Sequence, residues 1–198
     1  MKMNNTTGNE ILTVLEGIEF DNSDRTIMSF MSHRMVFDTQ RAIFDLVQLE
    51  NHAPAAALLR VLFEAHLQGL WLYSCANDNQ INDFKKNKRG KLNFNEKLTQ
   101  IGEVKPLLKE NLCEFKKNHW NGLNNLTHSG SMQLLSYKVH SRGIKIESPI
   151  PPETLLSFSE RFAISSLAAV GIDIVKCEKV SDCVERLWDA YESRNTNL

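Results

Sequence analysis

Apolar residues recur at three- and four-residue spacing along almost the whole chain, the period of helices that bury one face. The pattern predicts a short helix over 10–17, a long one over 24–50 and a second long one over 53–77. Asn22, Ser23 and Asp24 are N-cap candidates for the first long helix, and Pro54 suits the first turn of the second. A shorter helix follows over 79–86, then a pair over 94–101 and 105–128, with Pro106 placed to start the latter and Gly130 to end it. From 139 to 152 the pattern changes: "GIKIESPIPP" alternates briefly and is proline-rich, which reads as an extended loop or arm. An apolar helix over 153–177 and an amphipathic one over 182–193, with Val184, Leu187, Trp188 and Tyr191 facing inward, complete the chain. Long helices, short turns and no convincing strand pair predict a single all-α domain over 1–198, with a disordered tail over 1–8. The expected architecture is a bundle of five to seven helices around two long antiparallel ones at the centre.

The formal net charge of −1 adds one constraint: there is no global electrostatic pull on nucleic acid or anionic membranes. The dense basic cluster is local, at Lys85, Lys86, Lys88, Arg89 and Lys91, and is a candidate for holding a nucleic-acid backbone. The four cysteines form no CxxC, and Cys75 and Cys177 fall in apolar segments, so all four read as reduced thiols of a cytoplasmic protein. The polar N-terminus and the charges in the most apolar run argue against a membrane span. On the first long helix Arg34, Asp38, Arg41 and Asp45 alternate in sign and read as a solvated ion-pair face.

Within the second long helix, "LLRVLFEAHLQGLWLY" (58–73) is almost wholly apolar yet carries three ionisable residues. Arg60 and Glu64 lie about 40° apart around the axis and can pair, with Gln68 beside Glu64. His66 is about 120° from Arg60 and reads as a core-edge or surface histidine. In "NHWNGLNNLTHSG" (118–130) a helical register puts Asn121, Asn124, Asn125 and His128 on one polar stripe. Asparagine is a poor helix former, so that stripe is either a frayed solvated end or a set of amides kept for binding. Should the two segments meet, His128 beside Arg60 and Glu64 has a tunable basicity suited to general acid–base chemistry. No HExxH, GxSxG, P-loop or dinucleotide fingerprint occurs, so neither a metal nor another cofactor is expected.

These two segments carry a resemblance. "LLRVLFEAHLQGLWL" and the later Trp120…Thr127-His128-x-Gly130…Gln133 segment resemble an uncharacterised bacterial helical family, itself similar to the HEPN-like superfamily. That superfamily includes metal-independent ribonucleases of toxin–antitoxin and phage-defence systems, which act across a dimer interface through an Arg and a His four to six residues on. Arg60 and His66 meet this spacing, but they point to different sides of the helix. The resemblance therefore implies an endoribonuclease site at Arg60, Glu64 and His128. Asn121, Asn124, Asn125, Thr127 and Gln133, together with Lys85, Lys86, Lys88 and Arg89, would be its binding residues. It also implies a homodimer with RNA and an antitoxin or other protein as partners. The alternative is a non-catalytic helical module that dimerises or binds a ligand or partner, in which Arg60 and Glu64 fix helix register.

Overall fold

The computed structural model describes residues 4–88, 93–128, 130–134, 137–140, 143–146 and 150–195. Among them are eight helices of two turns or more: α1 (Thr6–Leu15), α2 (Asp24–Gln48), α3 (His52–Ser74), α4 (Asp78–Lys85), α5 (Phe94–Val104), α6 (Pro106–Thr127), α8 (Pro152–Ala169) and α9 (Glu178–Asn195). A single turn, α7 (Ser131–Leu134), follows α6, and α8 runs on into a π-helical turn over Val170–Val175. The fold is all-helical apart from one short antiparallel hairpin, β1 (Tyr137–His140) with β2 (Gly143–Ile146), in which Val139 faces Ile144.

Three expectations are corrected. The helix count exceeds the five to seven expected: every one of the eight segments with helical spacing forms its own helix, the short ones at the chain start and around residue 80 included, and each of these two packs on α2. The segment read as an extended arm folds back in part as the hairpin. The segment read as a tail is helical from Thr6: the Asn5 side chain accepts from the Gly8 amide at 2.9 Å and donates to Gln40 Oε1 at 3.1 Å, tying the helix start to α2.

α2 and α3 form the longest packed pair, joined by a three-residue turn in which Glu50 takes a positive φ of 60°. Their crossing is close at Gly69. Ser29 Oγ donates to the Gly69 carbonyl at 2.8 Å, and a Cβ at Gly69 would lie 2.6 Å from His33 Nε2. Gly69→Ala is therefore expected to destabilise the protein by about 1–3 kcal/mol, since the buried imidazole has nowhere to move. A urea midpoint equal to that of the wild type would refute a close crossing at this point. The far end of α3 is capped by Arg25 of α2, whose Nη1 donates to the carbonyls of Leu72, Tyr73 and Ala76 at 3.1, 3.2 and 2.5 Å. These are helix-terminal acceptors without intrahelical partners, at the negative end of the helix dipole.

Two apolar clusters follow. The larger surrounds α3, with Leu59, Leu62, Phe63, Leu67, Leu70 and Leu72 at its centre. The second joins α1, α8 and α9 through Ile11, Ile164, Leu167, Val180 and Leu187, with Val184, Trp188 and Tyr191 packed at its edge as the amphipathic pattern predicts. The segment Pro152–Val175 is long and apolar enough to cross a membrane by length and composition, but half of its most apolar stretch is buried inside the fold. All four cysteines are free.

Candidate functional site

One face of α3 carries Arg60, Glu64, Gln68 and Trp71, at i, i+4, i+8 and i+11. The helix itself makes the first link: Arg60 Nε donates to Glu64 Oε1 at 2.9 Å. α5 and α6 pack across this face and supply the rest. At the C-terminal end of α6, Arg60 Nη1 meets His128 Nε2 at 2.5 Å. The Arg60 guanidinium also lies over the Trp120 ring at 5.1 Å, and Trp120 stacks on Phe94 with centroids 4.3 Å apart. The arginine is thus fixed by a carboxylate, an imidazole and an aromatic face. The cluster opens to solvent: the Glu64 side chain is 41% exposed, that of Arg60 20%, and His128 is exposed.

Guanidinium has no acceptor, so the Arg60–His128 bond requires His128 Nε2 to accept. The imidazole in this arrangement is neutral, with its proton on Nδ1. The row continues along α3. Lys97 of α5 donates to Gln68 Oε1 at 2.6 Å and sits over the Trp71 ring at 5.0 Å, while Trp71 Nε1 donates to Gln100 Oε1 at 2.7 Å. Burial pushes the Lys97 ammonium below its ordinary range, and the nearby Glu64 charge partly opposes that. Gln68 Nε2 is buried with no partner among the described residues.

The end of α6 explains how His128 is held. Thr127 Oγ1 donates to the Leu123 carbonyl at 2.8 Å and reaches the Ala57 carbonyl of α3 at 3.4 Å. The His128 amide donates to the Asn124 carbonyl at 3.1 Å, and the Gly130 amide closes the helix end on the Asn125 carbonyl at 2.8 Å. Gly130 is required there, because a Cβ would lie 2.7 Å from the Asn125 carbonyl oxygen. Leu123 and Leu126 are buried, Asn121 is exposed, and Asn124 and Asn125 are half-buried, so the asparagine stripe runs along the border between core and solvent.

Other candidates lie elsewhere. Lys85 pairs with Asp24 at 2.6 Å and Lys88 with Asp83 at 3.4 Å, so two charges of the basic cluster are neutralised locally. That cluster packs near the Arg25-capped end of α3, thirteen residues or about 20 Å along the axis from Arg60. Lys86 is exposed there, whereas Arg89 and Lys91 lie outside the described residues, as does the Gln133 side chain. His66 is not a surface or core-edge group. It is 5% exposed, and its Nδ1 meets Ser166 Oγ at 2.7 Å. Arg60 therefore pairs with the distant His128 and not with the histidine six residues along its own helix. Lys97, Gln100 and the stacking role of Trp120 are absent from the sequence reading. Only a three-residue spacing on α5 hinted that Lys97 and Gln100 share a face.

Among the described residues, no three His, Cys, Asp or Glu side chains converge as a metal-ligand set. Fold and site together define an all-helical bundle protein with a solvent-open Arg–Glu–His cluster between its central helix and the end of α6. The chain belongs to a family of unknown function, DUF6988, whose model matches residues 33–191 and so takes in the whole cluster. No curated protein and no solved structure matches it.

Proposed function

We propose that Arg60, Glu64 and His128 form the site of a metal-independent, HEPN-like endoribonuclease, acting in a toxin or phage-defence system. The observation that carries this reading is the direct Arg60–His128 contact in an exposed position. A phosphodiester arriving at the cluster competes for the Arg60 Nη1 donor and so frees the His128 Nε2 lone pair. His128 then removes the proton from the ribose 2′-OH, whose oxygen attacks the adjacent phosphorus. The bond to the 5′-oxygen breaks, that oxygen takes a proton, and a 2′,3′-cyclic phosphate remains. Arg60 neutralises the charge that gathers on the phosphoryl oxygens, and Glu64 holds Arg60 in place. Trp120 offers an aromatic face for a base. A homodimer, with an antitoxin or other protein as partner, completes the proposal.

Purified protein incubated with tRNA and total RNA in a chelator tests it. The expected result is cleavage leaving cyclic phosphate ends, reduced about a hundredfold or more in His128→Ala. Intact RNA both without and with divalent ions sinks the proposal.

A second reading, a non-catalytic dimerising or ligand-binding module, is favoured by the local neutralisation of Lys85 and Lys88. It expects the Arg60→Met/Glu64→Leu double variant to stay folded and keep its partner complex.

A further inference from the structure

A cleft lies on the other side of α3 from the Arg60 cluster. α6 and α8 both pack on α3 and touch each other at one end through aromatic rings: Phe115 stands 4.9 Å from Phe158 and 5.0 Å from Phe162, centroid to centroid. Farther along they are bridged by an ion pair, Lys105 Nζ to Asp173 at 2.9 Å, with Asp173 carried by the π-helical turn. Between aromatic end and ion pair the helices leave a cavity of about 500 Å³. That is a volume typical of small-molecule sites, and π-helical turns inserted into α-helices recur at functional positions.

The walls are chemically ordered. The floor is Leu70 and the edge of the buried His66. On α8, Arg161, Ser165 and Ala168 recur at i, i+4 and i+7, so one helix face lines the cleft, Ile172 of the π-helical turn extends it, and the small residues at 165 and 168 make the room. On α6, Leu108, Leu112 and Phe115 supply an apolar wall, with Asn118 and His119 toward its outer end. The Lys105 charge is already matched by Asp173. Arg161 is exposed and has no hydrogen-bond or ion-pair partner among the described residues. The lining's formal charges balance, Lys105 and Arg161 against Glu114 and Asp173; with Lys105 and Asp173 paired to each other, Arg161 is the cation left to a ligand, and Asn118, His119 and Ser165 can each donate as well as accept.

We propose that this cleft binds a small organic anion with a flat apolar body, its anionic group on Arg161 and its body between the α6 and α8 walls. The site is distinct from the Arg60 cluster and does not depend on its function: His66 and Arg60 sit about 120° apart around α3.

Two dyes with nearly the same body test it, anilinonaphthalene sulfonate and its uncharged relative N-phenylnaphthylamine. The full chain is expected to bind one sulfonate per molecule, read by dye fluorescence. Ala168→Trp or Ser165→Phe, each checked for an unchanged unfolding temperature, fills the cleft and abolishes binding of both dyes. Arg161→Gln weakens the sulfonate about tenfold and leaves the uncharged dye unaffected, the size expected for losing one charged hydrogen bond. Because Arg161 is exposed, this last comparison does not depend on how the filled variants fold. Absence of sulfonate binding, binding that survives both filling substitutions in folded protein, or an equal response of the two dyes to Arg161→Gln overturns the proposal.

Discussion

Acidification from pH 7 to pH 5 is expected to remove about 4 kcal/mol of folding stability, through His33 and His66. Both imidazoles are buried, and their rings meet edge to face at 5.9 Å where α2 crosses α3. Burial holds His66 down to about 4. It holds His33 down to about 3, helped by the positive charges of His66 and Lys105. In the unfolded chain each histidine titrates near 6.5. Below that value the unfolded state binds more protons than the native state, so stability rises with pH across the window. It is fully present above about 6.5 and lost progressively down to about 4 for His66 and about 3 for His33. At pH 5 the native forms are still neutral, and each histidine costs about 2 kcal/mol relative to neutral pH. Urea midpoints at the two pH values measure the loss. In His66→Gln the difference between them should shrink by about half, whatever the variant's own stability at pH 7. An undiminished difference would show that other groups carry the acid sensitivity.

The same pair of histidines shows where sequence reading stops. The α3 helix and the facing of Arg60 on Glu64 follow from a period and a four-residue spacing, because both are set within one element. His66 was misplaced because its environment comes from other helices: His33 on α2 and Ser166 on α8 reach it only after three segments pack. The asparagine stripe of α6 located His128 on a polar face, and its contact with Arg60 then depends on where the end of α6 docks, which Thr127 and Gly130 decide locally. Lys97 carried little signal beyond its three-residue spacing from Gln100, since an isolated lysine on a short helix is the commonest of surface features. The basic cluster shows the converse. Its charges were visible, but Asp24, sixty-one positions upstream of Lys85, was not legible as the partner. The hairpin shows an intermediate case: "YKVH" and "GIKI" both alternate, but each strand is only four residues long, too short for period two to stand out beside the helical pattern, and their pairing is not local to either one.

Phe63→Ala is expected to destabilise the protein by about 3–5 kcal/mol and to disturb the Arg60 cluster through the Trp120 and Phe94 rings that Phe63 packs against. Phe63 is fully buried and is the hub of an aromatic group, with ring centroids 4.5 Å from Phe115, 5.3 Å from Phe162, 5.6 Å from Phe94 and 6.4 Å from Trp120. Removing the ring leaves a cavity that three helices border and cannot close without moving α6 as a body, since Leu112, Leu123 and Leu126 pin that helix in the same core. The Trp120 and Phe94 rings, stacked on each other, form the wall against which the Arg60 guanidinium lies. Slack in the aromatic group is therefore slack in the seat of the arginine. A double-mutant cycle with Arg60→Met, a stem of similar length without the charge, separates this coupling from simple loss of core. If Trp120 transmits the effect, the two losses fall short of adding by more than about 0.5 kcal/mol, because the arginine's contacts are already weakened once the ring is gone. Additivity within that margin would mean that Arg60 is held by Glu64 and His128 alone, and that the aromatic floor shapes the core without shaping the site.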